Sequence, residues 1–120
     1  HRILLVDDEQ PILSTVDGLL RDFGFKVVTC NDPVAAKALL LQDPGRYDLL
    51  ISDQSMPNMT GIELIAELRE NGVQVPAVIL TGFSETISEE NFDEFGIQGY
   101  CSKPVSLAEM RALLQNTLKL

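Results

Sequence analysis

The hydrophobic residues of this chain fall into five short runs, and longer stretches of mixed polarity separate one run from the next. The runs are rich in Leu, Ile and Val and contain few charges, which is typical of strands that are covered on both faces of a sheet. They predict β-strands over Arg2–Val6, Lys26–Cys30, Leu49–Ser52, Val78–Thr81 and Gly99–Cys101.

Between the runs, apolar residues recur at intervals of three and four, the spacing of an amphipathic helix. Four helical faces are predicted in this way: Ile12, Val16, Leu19, Leu20 and Phe23; Val34, Ala38 and Leu41; Ile62, Ile65, Ala66 and Leu68; and Leu107, Met110, Leu113, Leu114 and Leu118. A fifth, acidic helix is predicted over Ser88–Phe95. Residues suited to helix ends flank these stretches, namely Asp8, Asp32 and Ser106 upstream and Gly24, Gly72 and Gly96 downstream.

The regular alternation of strand and helix predicts the fold class. A right-handed crossover between parallel strands places its helix on one face of the sheet, so successive crossovers cover both faces. We therefore expect a single doubly wound α/β domain over residues 1–120, with a five-stranded parallel sheet.

The composition argues against several classes of function. The net charge is −9 and the basic residues are scattered, so direct binding to nucleic acid is not expected. No run approaches the ~18 apolar residues of a membrane span, and we expect no membrane contact by this domain. Cys30 and Cys101 are expected to be unpaired, buried residues in a reducing, cytoplasmic compartment. The only histidine is His1, which argues against Ser-His-Asp and Cys-His catalysis and most zinc sites.

Polar residues occur where four of the predicted strands end. They are Asp7, Asp8 and Glu9 after the first strand, Asp53 after the third, Thr81 at the end of the fourth and Lys103 after the fifth. Because the carboxyl ends of parallel strands meet at one edge of a sheet, where ligands bind in this architecture, these side chains are expected to converge.

Each of these residues has a simpler explanation when taken alone. Asp7 or Asp8 could cap the next helix, Asp53 could shape a turn, and Thr81 and Lys103 could be ordinary strand and surface residues. Their convergence favours a functional site. Carboxylates ~4 Å apart repel by roughly 4 kcal/mol per pair at an effective dielectric constant near 20, so the group requires a cation or a proton.

The chemistry of this group indicates Mg²⁺ and phosphoryl transfer. The available ligands are hard oxygens, which favour Mg²⁺. Lys103 would hold a phosphate oxygen, Thr81 would supply a hydroxyl donor, and Asp53 would be the nucleophile that forms an acyl phosphate.

Four motifs now carry a resemblance to a known family. With "LLVDDE", "DQSMPNMTG", "ILTG" and "SKP" in this order, the chain resembles the receiver domain of two-component response regulators over essentially its whole length. The resemblance implies a flavodoxin-like strand order, 2-1-3-4-5, and catalysis by the domain of its own phosphorylation and dephosphorylation.

The resemblance also implies a role for each matching residue. Asp53 would be the phospho-acceptor, and Mg²⁺ would be bound by Asp7, Asp8, Asp53 and the backbone carbonyl of Ser55. Thr81 and Lys103 would contact the phosphoryl group, Tyr100 would move inward together with Thr81 as the switch, and Pro104 would follow a cis peptide bond. Gly61 would relieve a crowded backbone beside Asp53.

A histidine kinase or a histidine phosphotransfer domain is the implied phosphodonor. The stretches "DQSMPNMTG", "VILTGFSE" and "GIQGYCSKPVS" are similar to receivers attached to hybrid sensor histidine kinases, and the start without methionine leads us to expect a piece of a longer chain. A symmetric dimer through the acidic segment that contains Glu85, Glu89, Glu90, Asp93 and Glu94 is not expected, because two such faces would repel, so a monomer is favoured.

Three other functions compete with this interpretation. A degenerate receiver would act only as a protein-interaction module. A phosphatase of the haloacid-dehalogenase type would need an Asp-x-Asp motif on the first strand, which "VDDEQP" lacks. A flavin or nucleotide binder would need a glycine-rich phosphate motif, and neither GxGxxG nor GxxxxGK[ST] occurs.

Overall fold

The computed structural model describes residues 1–82 and 96–119. The strands are β1 (Arg2–Val6), β2 (Lys26–Cys30), β3 (Leu49–Asp53), β4 (Ala77–Thr81) and β5 (Gly99–Ser102), and the helices are α1 (Gln10–Asp22), α2 (Pro33–Gln42), α3 (Gly61–Glu70) and α4 (Leu107–Leu118). All five predicted strands are confirmed, three of them with one additional residue. The acidic helix predicted over Ser88–Phe95 lies outside the described residues. Within the described ranges, no helix combines the length and hydrophobicity needed to cross a bilayer.

The strands form one parallel sheet in the order β2-β1-β3-β4-β5, which confirms the predicted fold class. Their carboxyl ends are nearly in register. Val6 at the end of β1 is paired with Ser52 of β3, and Thr81 at the end of β4 is paired with Ser102 of β5. The residues that follow these strands are therefore delivered to one edge of the sheet.

Both faces of the sheet are covered by helices. Leu50 belongs to a buried cluster with Leu64 and other residues of α2 and α3. Ile51, which points the opposite way, belongs to a second cluster with Leu20 of α1 and Met110 of α4. All five residues of β3, including its polar ones, are buried as a result. The residue at the carboxyl end of β3, Asp53, is thus held by a strand that is buried over its whole length.

The predicted apolar face of α2 is wrong. Val34 and Leu41 are 52% and 38% exposed and Ala38 is also exposed, whereas Ala36 and Leu40 contact the core. The helix is apolar on nearly all sides, so the spacing of its apolar residues does not distinguish the buried face from the exposed one.

Two of the three predicted N-caps are confirmed. Asp32 accepts a hydrogen bond from the Val34 N–H, and Ser106 accepts one from the Glu109 N–H. The expectation that Asp8 caps α1 is wrong, because Glu9 occupies the cap position without a side-chain hydrogen bond to the helix.

The three predicted helix stops have the expected backbone conformation. Gly24, Gly72 and Gly96 have φ values of +96°, +79° and +71°, in the left-handed region that commonly ends a helix. Gly24 and Gly72 follow the C-cap residues of α1 and α3, while Gly96 begins the second described range.

Both cysteines are free thiols, as predicted. Cys101 is buried with its Sγ 3.7 Å from Oε2 of Glu109, and burial, together with the charge and hydrogen bond of Glu109, raises its pKa to about 11. The expectation of burial is wrong for Cys30, which is only partly buried because β2 lies at an edge of the sheet.

Candidate functional site

The candidate site lies at the carboxyl edge of the sheet, where the ends of β1 and β3 bring two carboxylates together. Asp7 follows β1 directly and Asp53 is the last residue of β3. The two residues are 0% and 1% exposed, so neither is an ordinary solvated surface acid. Asp7 Oδ1 accepts a hydrogen bond of 2.9 Å from the Glu9 N–H, which fixes the carboxylate against its own backbone.

Four acidic residues meet at this edge. Carboxylate oxygens of Asp7, Asp8, Glu9 and Asp53 all lie within 4.8 Å of one another, with Asp8 and Glu9 exposed. The convergence predicted for Asp7, Asp8, Glu9 and Asp53 is therefore observed. Glu9 was expected at this edge but was not predicted as a ligand.

Lys103 is the cation of this cluster within the described residues. Its Nζ lies 2.7 Å from Oδ1 of Asp53, 3.5 Å from Oδ2 of Asp7 and 3.9 Å from Oε1 of Glu9. Burial by itself lowers the pKa of Lys103. The hydrogen bond to Asp53 and the three surrounding negative charges outweigh that effect and raise the pKa above its ordinary value. The ammonium group therefore stays charged at neutral pH.

The oxygen donors of this cluster fit a divalent cation. One lysine offsets only part of the charge of four carboxylates, and the group contains neither imidazole nor thiolate. Oδ2 of Asp7 is buried and accepts no hydrogen bond from the described residues. Carboxylate oxygens that retain this capacity are the ligands that Mg²⁺ prefers.

A backbone hydrogen bond joins Thr81 and Lys103. Thr81 is the last residue of β4 and is 5% exposed, and its carbonyl accepts a 2.8 Å hydrogen bond from the Lys103 N–H. The following Lys103–Pro104 peptide bond is cis, as the resemblance implied. Thr81 and the site lysine thus occupy neighbouring positions at the ends of adjacent strands.

Two predicted residues lie at the surface. Tyr100 of β5 is 36% exposed, because side chains of this strand alternate between the core and solvent. Ser55 is exposed in the loop that follows β3. The structure therefore places Tyr100 on the outer side of β5, the position from which the predicted inward movement would begin.

The backbone beside Asp53 is crowded at Gly61, as predicted. A Cβ atom on Gly61 would lie 2.5 Å from the carbonyl oxygen of Asp53 and 2.8 Å from Cδ1 of Ile79. Only a residue without a side chain allows α3 to begin so close to the end of β3. The start of α3 therefore requires glycine at this position.

Comparison with known proteins identifies the family. The family model for the response regulator receiver domain matches residues 3–115. The chain belongs to the response regulator receiver family. Receiver domains use Mg²⁺ at an acidic pocket and interact with histidine kinases or phosphotransfer partners.

Curated relatives contain this receiver domain within longer proteins. The two-component response regulator ARR12 of Arabidopsis thaliana is 32% identical over 118 residues, which make up 98% of this chain and 20% of ARR12. The transcriptional regulatory protein DltR of Streptococcus agalactiae is 31% identical over 114 residues, 95% of this chain and 50% of DltR. The receiver domain thus spans half the length of these relatives or less.

A solved receiver structure is also similar to this chain. The receiver domain of sensor histidine kinase PA1611 from Pseudomonas aeruginosa PAO1 is 30% identical to this chain, with a TM-score of 0.84 and coverage of 99% of this chain and 98% of that one. That receiver is described with a magnesium ion coordinated in its active-site cleft.

Proposed function

We propose that this receiver accepts a phosphoryl group from a phosphohistidine donor onto Asp53 and signals through the resulting change of conformation. The observation that carries the proposal is the environment of Asp53. Its carboxylate is 1% exposed, stands among other carboxylates and is paired at 2.7 Å with Lys103. A carboxylate held in this way is positioned as a nucleophile rather than as a surface charge.

In the proposed reaction, a carboxylate oxygen of Asp53 attacks the phosphorus of the donor phosphohistidine. A P–O bond forms, giving the acyl phosphate, and the P–N bond breaks with its electron pair passing to the imidazole nitrogen. Negative charge on the transferred oxygens is stabilised by the Lys103 ammonium group, which is already charged in the resting site. Hydrolysis of the acyl phosphate by water would return the domain to its starting state.

Mg²⁺ is the proposed cofactor. Asp7, Asp8, Asp53 and the backbone carbonyl of Ser55 would hold it, and Glu9 is close enough to the cluster to contribute. When bound, the ion would neutralise the carboxylates and the incoming phosphoryl oxygens. The chain's own contribution is to gather these oxygens in advance on the ends of buried strands.

The proposed switch connects Thr81 with Tyr100. The Thr81 hydroxyl would donate to the phosphoryl group on Asp53, and Tyr100 would move from its exposed position towards the core. Thr81 and Tyr100 lie on the adjacent strands β4 and β5. A shift at the end of one strand would therefore be transmitted to the other. The exposed starting position of Tyr100 supports this direction of movement.

The donor is proposed to dock beside the site. A groove of about 480 Å³ lies between α1 and the segment 103–105 and is lined by Ile12, Val16, Lys103 and Val105 among others. Its lining is largely aliphatic, and one of its walls is the lysine that contacts Asp53. A helix of a histidine kinase or phosphotransfer domain with an apolar surface next to its phosphohistidine fits this groove.

We also make proposals about the parent protein, the cellular location and the oligomeric state of this domain. Given how much longer its relatives are, we propose that this domain is part of a larger protein, with a hybrid histidine kinase as one architecture. We further propose that it acts in the cytoplasm as a monomer, without direct contact to nucleic acid or membrane. The acidic net charge of −9 supports the lack of nucleic-acid contact.

Phosphorylation by a small phosphodonor tests this function. The chain and its Asp53→Asn variant are incubated with acetyl phosphate, with and without Mg²⁺, and their intact masses are measured. One phosphoryl group on the parent, absent from Asp53→Asn and absent without Mg²⁺, is the expected result. If the parent gains no mass and also fails to bind Mg²⁺ together with beryllofluoride, the domain is a degenerate interaction module and the proposal is wrong.

A further inference from the structure

The N-terminus of α3 has an unusually complete set of hydrogen-bond acceptors. A helix leaves the N–H groups of its first turn without partners inside the helix. In α3 two of them are satisfied by a capping box. The Glu63 N–H donates to Oγ1 of Thr60 and the Thr60 N–H donates to Oε1 of Glu63, both at 3.1 Å.

The remaining two N–H groups of this turn are satisfied by Gln54, which immediately follows the phospho-acceptor. The Gly61 N–H donates to the backbone carbonyl of Gln54 at 3.1 Å, and the Ile62 N–H donates to its side-chain Oε1 at 2.9 Å. The Gln54 N–H in turn donates to the carbonyl of Leu80 in β4 at 3.0 Å. Gln54 therefore connects β3, β4 and the start of α3.

These bonds close the loop between β3 and α3 at its base. Elsewhere the loop is held by Met56, which is 9% exposed and packs in the core. The Met59 N–H donates to the Pro57 carbonyl at 2.8 Å, and Asn58 adopts a left-handed φ of +72°. Ser55 lies between the closed base and the buried Met56, so its backbone is restrained from both sides.

We propose that Gln54 is a positioning residue for the cation site. Its side-chain carbonyl, by accepting from Ile62, fixes the orientation of the Ser55 backbone carbonyl relative to the acidic cluster. Gln54 is not among the residues proposed to hold the cation or to contact the phosphoryl group. The inference rests on the proposed Mg²⁺ site, to which it adds a residue that acts through the loop.

The test compares two variants that each remove one half of the α3 cap. Gln54→Met keeps the length of the side chain but has no acceptor for the Ile62 N–H. Thr60→Ala removes the capping box, which is formed by Thr60 and Glu63 without Gln54, and serves as the matched control. Mg²⁺ is titrated into each protein, and binding is followed by backbone amide chemical shifts at Asp7 and Asp8.

We expect Gln54→Met to weaken Mg²⁺ binding by about tenfold, as is common when a group that orients a ligand is lost, while Thr60→Ala changes it by less than about twofold. Hydrogen exchange in the metal-free protein provides an independent readout. Exchange at Ile62 should accelerate in Gln54→Met and return towards the wild-type rate in Gln54→Glu, whose carboxylate can accept the same bond.

The outcomes separate this inference from the proposed function. If the wild-type chain binds Mg²⁺ and Gln54→Met binds it equally well, or no more weakly than Thr60→Ala, the positioning role is wrong and the cation site stands. If the wild-type chain binds no Mg²⁺, the cation site and the positioning role are both wrong.

Discussion

The Nζ atom of Lys103 lies 2.7 Å from Oδ1 of Asp53, and the Lys103 N–H donates to the carbonyl of Thr81 at 2.8 Å. A single residue therefore contacts the Asp53 carboxylate through its side chain and the end of β4 through its backbone. The ammonium group offsets part of the negative charge of the acidic cluster, while the backbone hydrogen bond fixes the position of Lys103.

Replacing Lys103 with methionine should destabilise the metal-free protein by about 2 kcal/mol, because the buried carboxylates of Asp53 and Asp7 lose their cation. This value is below the usual cost of breaking a buried pair, since the lysine side chain is 17% exposed and partly screened by water. Urea unfolding at pH 7 without divalent cations measures the change. Lys26→Met is the control, because Lys26 is exposed and makes no ion pair with the described residues.

The pH dependence of this difference follows from the raised pKa of Lys103. Stabilisation by a cation with a raised pKa is fully present below the ordinary lysine pKa of 10.5 and is lost as the pH rises through the pKa of the folded protein. The difference in unfolding free energy between wild type and Lys103→Met should therefore be unchanged from pH 7 to pH 9. If this difference disappears by pH 9, the proposed ion pair of Lys103 with the carboxylates is wrong.

Mg²⁺ should raise the stability of the wild-type protein, and Asp8→Asn should remove most of that gain. A ligand that binds only the folded state adds about 2.7 kcal/mol at a concentration of 100 times its Kd. Thermal unfolding with and without Mg²⁺ measures the effect. In the absence of the ion, Asp8→Asn should be as stable as the wild type or slightly more stable, because one repelling carboxylate is gone.

The control for this experiment is Asp22→Asn, an exposed acid at the end of α1, away from the cluster. Asp22→Asn should retain the full stabilisation by Mg²⁺. Equal loss in the two variants would mean that Mg²⁺ acts through general screening of the acidic surface rather than at a site.

Gly61→Ala should destabilise the fold by about 2 kcal/mol, because the new methyl group meets the backbone carbonyl of Asp53, which has no room to move aside. The matched control is Gly18→Ala in the middle of α1, where nothing lies within 4 Å of the added atom. That substitution should stabilise the protein by roughly 0.5–1 kcal/mol through helix propensity. Chemical denaturation of both variants tests the opposite signs.

The two thiols should react at different rates. Cys101 is 3% exposed and its pKa is raised to about 11, so at pH 8 it is almost entirely the unreactive neutral thiol. Cys30 is partly exposed and should be alkylated first. Mass spectrometry of peptides after brief iodoacetamide treatment measures the order, and labelling in urea, where both should react, is the control.

The raised pKa of Cys101 also predicts a loss of stability at alkaline pH. Its thiol ionises near pH 9 when the chain is unfolded and near pH 11 when it is folded. The stabilisation linked to this group is therefore complete below pH 9 and declines as the pH rises towards 11. Cys101→Ala should flatten the stability profile over this interval, and an unchanged slope would contradict the assignment.

The sheet and most of the site were predictable because buried strands produce a clear hydrophobic pattern in the sequence. Strands covered on both faces need continuous apolar runs, and a buried run that ends on an acid, as β3 does at Asp53, shows where polar chemistry begins. The carboxyl ends of parallel strands meet at one edge of the sheet, so the meeting of Asp7, Asp53 and Lys103 followed from topology.

Other features have no periodic signature. The exposed face of α2 was missed because an all-apolar helix does not reveal its orientation, and Gln54 was missed because a side-chain bond across eight residues has no pattern. Arg69 is a third case, since its guanidinium donates to the backbone carbonyls of Val73, Val75 and Gly96. The sequence indicated only a charged residue beside Leu68.

The strand order has a consequence for how the site is assembled. Asp7 follows β1 and Asp53 ends β3, two neighbouring strands inside the sheet, whereas Lys103 follows β5 at the edge of the sheet. A chain in which β1 and β3 have paired but β5 has not docked would hold its buried acids together with no ammonium group of its own. Docking of the last strand is therefore favoured by the charge it relieves, because it brings the Lys103 ammonium group to the Asp53 carboxylate.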